Sequence, residues 1–314
     1  MNIKRNLNID GNYNTQLYNL LYSLTDDITL YHLEHELREP KGIYTVSTSR
    51  VFKAFENFLI TFNNKNDYER IDSAHKELLD SLMAFIDDTY LVMKCFYPED
   101  AVKKKIIFAN KWIRELNKDV IDVFQKDIEP FRSRLALIVN KTKHNHARYC
   151  HVEVSCVFGK VRGYYIEGIN HEGVILPNRD IHPKWRDMYT AISYNKDIKQ
   201  LWVDFYCLSS LAAIAVNRII ESIYGQYLAI NSCGFDGNEK LLNLSRAINR
   251  LPNLFFVDEY ELDIPQIEIN NNEIDLRSQA YKSFLKKLPR YDNFKAQSIM
   301  SGDGSSRSWA LPYF

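Results

Sequence analysis

The sequence predicts a mostly helical α+β protein: an N-terminal helical bundle, a small inserted antiparallel β-meander and a strand-containing C-terminal segment. Three observations carry that expectation. Apolar residues recur at helical spacing through most of the first 150 positions. The pattern switches to strict alternation just after His151. Helical spacing then returns, before a second alternating stretch near the C-terminal end. We divide the chain at the switch, with residues 1–150 as the bundle and 151–314 as the meander, further helices and a C-terminal strand and helix segment. Glycine and proline number only 11 and 9, and no linker separates the halves, so one shared core is expected.

Leu17, Leu20, Leu21, Leu24, Ile28 and Tyr31 predict a first helix that runs from Thr15 until Pro40 stops it. Val51, Phe52, Phe55, Phe58, Leu59 and Phe62 predict a second over 49–62, and Ile71, Leu78, Leu82, Phe85 and Leu91 a third over 67–96. A fourth is expected over 99–123. Pro130 suits the first turn of a fifth, where its missing N–H costs little. Beyond His151, VEVSCVF and VRGYYIEGI alternate, with Gly159-Lys160 suited to a tight primed turn, and GVILP follows as a third strand. Helices are expected at 183–194, at 197–227 as a central apolar helix, and at 239–250. Residues 254–276 alternate again and carry seven acids and no base; Pro265 marks an edge strand or a break. We read these as half-exposed strands with carboxylates outside, or as an acidic surface docking on a basic helix. A last helix is expected over 278–288, and the terminal aromatics Trp309, Tyr313 and Phe314 are expected to pack on their own domain.

Composition narrows function. Forty basic and forty acidic residues cancel, which argues against a protein that coats nucleic acid and leaves room for one basic groove. The five cysteines (Cys95, Cys150, Cys156, Cys207, Cys233) are odd in number and lack CxxC spacing, so a reducing, cytoplasmic setting is expected. The first ten residues lack an apolar core and the longest apolar run is short, so neither a signal peptide nor a membrane partner is expected.

Residues 131–151, FRSRLALIVNKTKHNHARYCH, concentrate five cations and three histidines without an acid. At about 100° per residue, Phe131, Leu135, Ile138, Val139 and Thr142 share the core-facing stripe of one helix. Arg134, Asn140, Lys141, His144 and Arg148 gather on roughly the opposite arc. Cations there can hold a phosphate, and an imidazole can move a proton near neutral pH. A solvated basic face is the plainer account. His146 falls on the apolar side and reads as a core histidine.

The segment VNKTKH resembles the signature helix of the HEPN superfamily, in which an arginine precedes a histidine by a short spacing and a polar residue often follows the arginine. Asn140 and His144 match the polar residue and the histidine, while the arginine's positions hold Val139, Ile138 and Leu137. Counting from His146 places Lys141 there, a cation without arginine's planar fork. The resemblance implies an up-and-down helical core, RNA as substrate in a toxin or phage-defence setting, and a dimer pairing two signature helices. It implies metal-independent cleavage, with His144 as acid/base, Asn140 beside it, and Arg134, Lys141 and Arg148 on the RNA backbone.

Other constellations are weaker. His144, His146, Cys150 and His151 converge on one metal only if the helix ends among them. His35-Glu36-Leu37-Arg38-Glu39 lacks the second histidine of HExxH, and His35 reads as a partnered histidine near the core. Residues 10–21 fail as a calcium loop at Thr15 and Leu21, and Gly234-Phe-Asp-Gly237 is not a P-loop. We therefore expect no metal and no cofactor. Three functions stay open: an intracellular RNA-directed, HEPN-like protein, endoribonuclease if catalytic; a non-catalytic helical protein-interaction module or complex subunit; or an enzyme whose site no local motif reveals. RNA is a possible partner, and a protein partner or homodimer is expected.

Overall fold

The computed structural model describes residues 3–6, 14–64, 67–144, 147–169, 175–229, 239–270, 273–280, 291–296 and 311–313. Among these the fold is mostly helical with small antiparallel sheets, as the sequence predicts. The helices are α1 (Gln16–Tyr22), α2 (Pro40–Asn63), α3 (Tyr68–Lys94), α4 (Ala109–Leu116), α5 (Lys118–His144), α6 (Tyr194–Tyr224) and α7 (Glu239–Asn249), with 3-10 turns at Glu99–Ala101 and Val257–Glu261. The strands are β1 (Ile3–Asn6), β2 (Tyr149–Cys156), β3 (Gly159–Ile169), β4 (Ile175–Pro177), β5 (Lys184–Trp185), β6 (Met188–Tyr189), β7 (Ile192–Ser193), β8 (Asp263–Asn270), β9 (Glu273–Ala280) and β10 (Tyr291–Ala296). The meander runs β10-β2-β3-β4 with β7 also on β3, and a second sheet runs β1-β9-β8.

One apolar core draws on all seven helices and also takes in Tyr164 and Ile166 of β3, Ile267 of β8 and Leu276 of β9. At its centre lies α6, whose Trp202, Phe205 and Tyr206 are fully buried. Trp202 and Phe205 pack against Phe52 and Phe55 of α2 and Phe85 of α3. By length and composition α6 could cross a membrane, yet most of its apolar window is covered by the rest of the protein. A smaller apolar cluster covers the other face of β2 and β3 with Phe256, Val257, Leu311 and Tyr313. The ring of Tyr313 stacks on Phe256, and its hydroxyl accepts from the Ala191 N–H at 2.8 Å.

Several elements differ from expectation. Instead of running on until Pro40, α1 stops at Tyr22, where Thr25, Asp26 and Asp27 favour turns. Pro40 opens α2 rather than closing its predecessor. Pro130 sits inside a continuous α5 and does not begin a new helix. The expected helix over 183–194 is the β5–β6 hairpin followed by β7; Arg186 and Asp187 take φ of 50° and 64°, the left-handed values of a primed turn, without the Asn-Gly that normally announces one. At the β2–β3 turn the two linking residues are Val157 and Phe158, neither with positive φ, while Gly159 takes φ +132° just after them. That turn is therefore unprimed and two residues earlier than expected. The edge-strand reading of Pro265 matches β8, which among the described residues pairs on one side only. Residues 278–280 belong to β9; the remainder of the helix expected over 278–288, like Cys233, Trp309 and Phe314, lies outside the described residues.

Candidate functional site

The site begins with where α5 sends its cations. Arg134 turns inward and ion-pairs with Asp197 and Asp204 of α6, reaching Asp204 at 3.2 Å. Lys141 pairs with Asp180 at 3.0 Å and Lys143 with Asp80 at 2.8 Å. Asn140 and Arg148 are exposed. His144 is the last residue of α5; its side chain and His146 lie outside the described residues. The predicted basic face thus divides, with Arg134 drawn to the interior, Lys141 and Lys143 balanced by the protein's own carboxylates, and Asn140 and Arg148 exposed.

Asp197 is fully buried and collects three partners. Besides Arg134, its Oδ2 receives the Tyr164 hydroxyl at 2.7 Å and His75 Nε2 at 2.9 Å. Burial in the core pushes His75 down to about 3, so the ring is neutral at pH 7. A carboxylate can only accept, so Nε2 carries the ring proton and Nδ1 accepts from the Tyr149 hydroxyl at 3.2 Å. A neighbouring carboxylate, Asp72, receives Tyr194 at 3.1 Å and His151 at 2.9 Å. His151 therefore faces α3, whereas Cys150, next along the strand, lies in the apolar cluster on the other face. The two do not converge, and among the described residues no group of three or more His, Cys, Asp or Glu is placed to hold a metal. His35 is a partnered histidine, with Nε2 2.8 Å from the Tyr97 carbonyl and its ring against Trp112.

Arg134 also floors a cavity of 420 Å³. Pro130 and Phe131 of α5, Ile181, Ile192 and Leu262 supply apolar walls; Lys196, Asp197, Gln200 and Asp204 of α6 and Asp258, Glu259 and Asp263 supply charge and hydrogen bonds. Residues 197, 200 and 204 share one helix face, which is why they line it together. Gln200 donates to Asp204 at 2.7 Å and helps fix its geometry. Burial raises the Asp204 carboxyl while Arg134 and Gln200 oppose the shift. Asp258 and Glu259 are buried, not the solvent-facing strand carboxylates expected, because residues 257–261 form a 3-10 turn folded under the sheet. Glu259 accepts from the Ser193 N–H at 3.1 Å and the Phe256 N–H at 2.9 Å. Burial raises the pKa of both acids, and burial lowers that of Lys196, with the two acids pulling it back up. The acidic segment does face α5 across this cavity, but Lys196 of α6 lies beside its charge.

With Arg134 engaged by Asp197 and Asp204, Lys196 is the one cation among the described residues left to face Asp258, Glu259 and Asp263. A concave, apolar-walled space with titratable groups moved toward neutrality is where binding or acid–base chemistry is ordinarily found. Of the predicted site residues, Arg134 is the one that lines it. Searches of protein-family models, curated proteins and solved structures return no match, so no likeness to a known protein adds to this geometry.

Proposed function

We propose that this chain is a small-molecule-binding protein whose cavity takes an amphipathic organic cation. The observation behind it is the charge balance of an apolar-walled space, in which, among the described residues, three carboxyl groups face a single lysine not already paired elsewhere. An ammonium group entering beside Asp258 and Glu259 supplies the missing counter-charge, while its hydrocarbon lies on Phe131, Ile192 and Leu262. Because burial holds both carboxyls toward their protonated form, a bound cation draws them into ionisation. Affinity for an amine that stays charged throughout then rises with pH. Calorimetry with hexylamine against hexanol tests this. The amine should bind more tightly than the alcohol, more tightly at pH 8 than at pH 5.5, and more weakly to Asp258→Asn. Equal affinity for amine and alcohol, or an unaffected variant, overturns the reading.

A second reading keeps RNA as partner, in the HEPN-like form with two α5 helices paired in a dimer. Exposed Asn140 and Arg148 near the end of α5 support it. The carboxylates already engaging Arg134, Lys141 and Lys143 place it second. Its signature is RNA binding with a steep salt slope that falls in Arg148→Ala, and, if the protein cleaves, activity that survives EDTA and is lost in His144→Ala.

A further inference from the structure

Residues 102–114, VKKKIIFANKWIR, carry five cations and no acid. They form the loop into α4 and most of that helix. Ile106 packs against the core, and Trp112 and Ile113 of α4 are buried. The Trp112 N–H donates to the Phe108 carbonyl at 3.0 Å, which closes the first turn of the helix. Between these anchors Ile107 and Phe108 face outward, 86% and 61% exposed, and Ile107 is the most exposed large apolar residue described. They line neither the amine cavity nor a second cavity of 900 Å³, which lies between the end of α2, the β2–β3 hairpin and the first turn of α6. One apolar side chain in water is ordinary; two consecutive large ones, held there by an ordered turn, gain on being covered.

The cations bracket this pair. Lys103, Lys104 and Lys105 precede it, and Lys111 follows one helical turn after Phe108, with Nζ 5.0 Å from the centre of the Phe108 ring. Lys104 pairs with Glu115 at 3.5 Å and Arg114 with Asp122 at 2.8 Å. Lys103, Lys105 and Lys111 are exposed and have no carboxylate partner among the described residues. With the flanking Glu99, Asp100 and Glu115 counted, five cations still stand against three acids. A partner for this face offers negative charge with an apolar layer directly beneath it. An anionic bilayer has that arrangement, and it takes a protruding side chain without a shaped pocket. Lysine suits it, as a hydrated point charge on a flexible stem that follows a diffuse field. Ile107 has no π-face on which a base could stack, which sets RNA aside here. Docking of this kind needs no spanning segment.

We propose that this face docks the protein on an anionic lipid bilayer, with Ile107 and Phe108 entering the acyl boundary and Lys103, Lys105 and Lys111 on the head groups. The proposal is independent of the amine site. Sedimentation of the full chain with vesicles tests it, one set made of phosphatidylcholine and the other of an equal mixture of phosphatidylcholine and phosphatidylglycerol. Wild type should bind the mixed vesicles at least about tenfold more tightly than the neutral ones, and more weakly at about 0.5 M salt than at about 0.05 M. Lys103→Ala/Lys105→Ala should weaken binding about twentyfold, near fivefold for each lysine, and Ile107→Ser about tenfold. These substitutions change exposed side chains and leave the fold intact. Ile107→Trp should strengthen binding, a gain that no folding defect imitates. No binding to the mixed vesicles, equal binding to both sets, or binding unmoved by either weakening variant overturns the proposal. Polyglutamate bound as tightly as the mixed vesicles, and lost in the same variants, identifies an acidic protein surface instead and also overturns it.

Discussion

At the scale of single residues, the buried carboxylate of Asp197 organises more of the interior than any other side chain described. It accepts from Tyr164 and His75 and balances Arg134. Asp197→Ala leaves an imidazole N–H and a phenol without their acceptor and takes from Arg134 one of its two carboxylates. We expect a loss of about 3–5 kcal/mol, the range for breaking a buried pair from one side, measurable by urea denaturation. Exposed pairs behave differently: Lys141→Ala should change stability by about 1 kcal/mol or less, because solvent already screens its bond to Asp180. The clue to Asp197 was present in the sequence. Asp197, Gln200 and Asp204 recur at i, i+3 and i+7 along a largely apolar helix, and a charge on a buried face needs a partner. What local spacing does not carry is which partner: His75, Tyr164 and Arg134 come from elements far apart in the chain. Asp258 and Glu259 stayed hidden for a related reason, since alternation reads them as strand residues facing water and only the 3-10 turn turns them inward.

At the scale of elements, α5 carries a penalty in its middle. Pro130 has no N–H to give the Lys126 carbonyl and its ring crowds that oxygen, costing up to about 3 kcal/mol in a helix interior. Pro130→Ala should therefore raise the melting temperature, and because the residue also walls the first cavity, it should alter amine affinity at the same time. The meander has the opposite sensitivity at Gly163. A Cβ there would come within 2.2 Å of the Ile192 carbonyl oxygen and 2.5 Å of Phe256 Cε2. Gly163→Ala should destabilise by at least about 1–3 kcal/mol, the usual range for overpacking, seen as a lower urea midpoint. Long amphipathic helices, the β2–β3 pair and β4 were legible because their periodicity is strong and their burial one-sided. The β5–β6 hairpin was not, because its left-handed turn residues are Arg186 and Asp187. Strands β1 and β10 were missed too: each is short, and each is held by a partner distant in the chain.

At the scale of the whole molecule, burial of neutral histidines sets the response to acid. Burial pushes both His75 and His182 down to about 3. Their folded pKa values lie below the ordinary 6.5, so the unfolded chain binds protons that the folded one refuses, and stability is lost as pH falls below about 6.5. Each contributes up to about 1.4 kcal/mol per pH unit in that window. The raised carboxyls of Asp204, Asp258 and Glu259 act with the opposite sign, since the folded state holds their protons more tightly. His182 accepts from the Ile166 N–H at 2.9 Å, a bond that a glutamine oxygen can replace. In His182→Gln the slope of stability against pH between 3 and 6.5 should flatten by about 1.4 kcal/mol per unit relative to wild type; an unchanged slope would show that this ring is not held neutral.

The first turn of α6 has a consequence of its own. Asn195 walls one cavity and its neighbour Lys196 walls the other, so a few degrees of roll in that turn reshapes both spaces together. The two linings therefore meet at one peptide bond, and any movement of that bond is common to both.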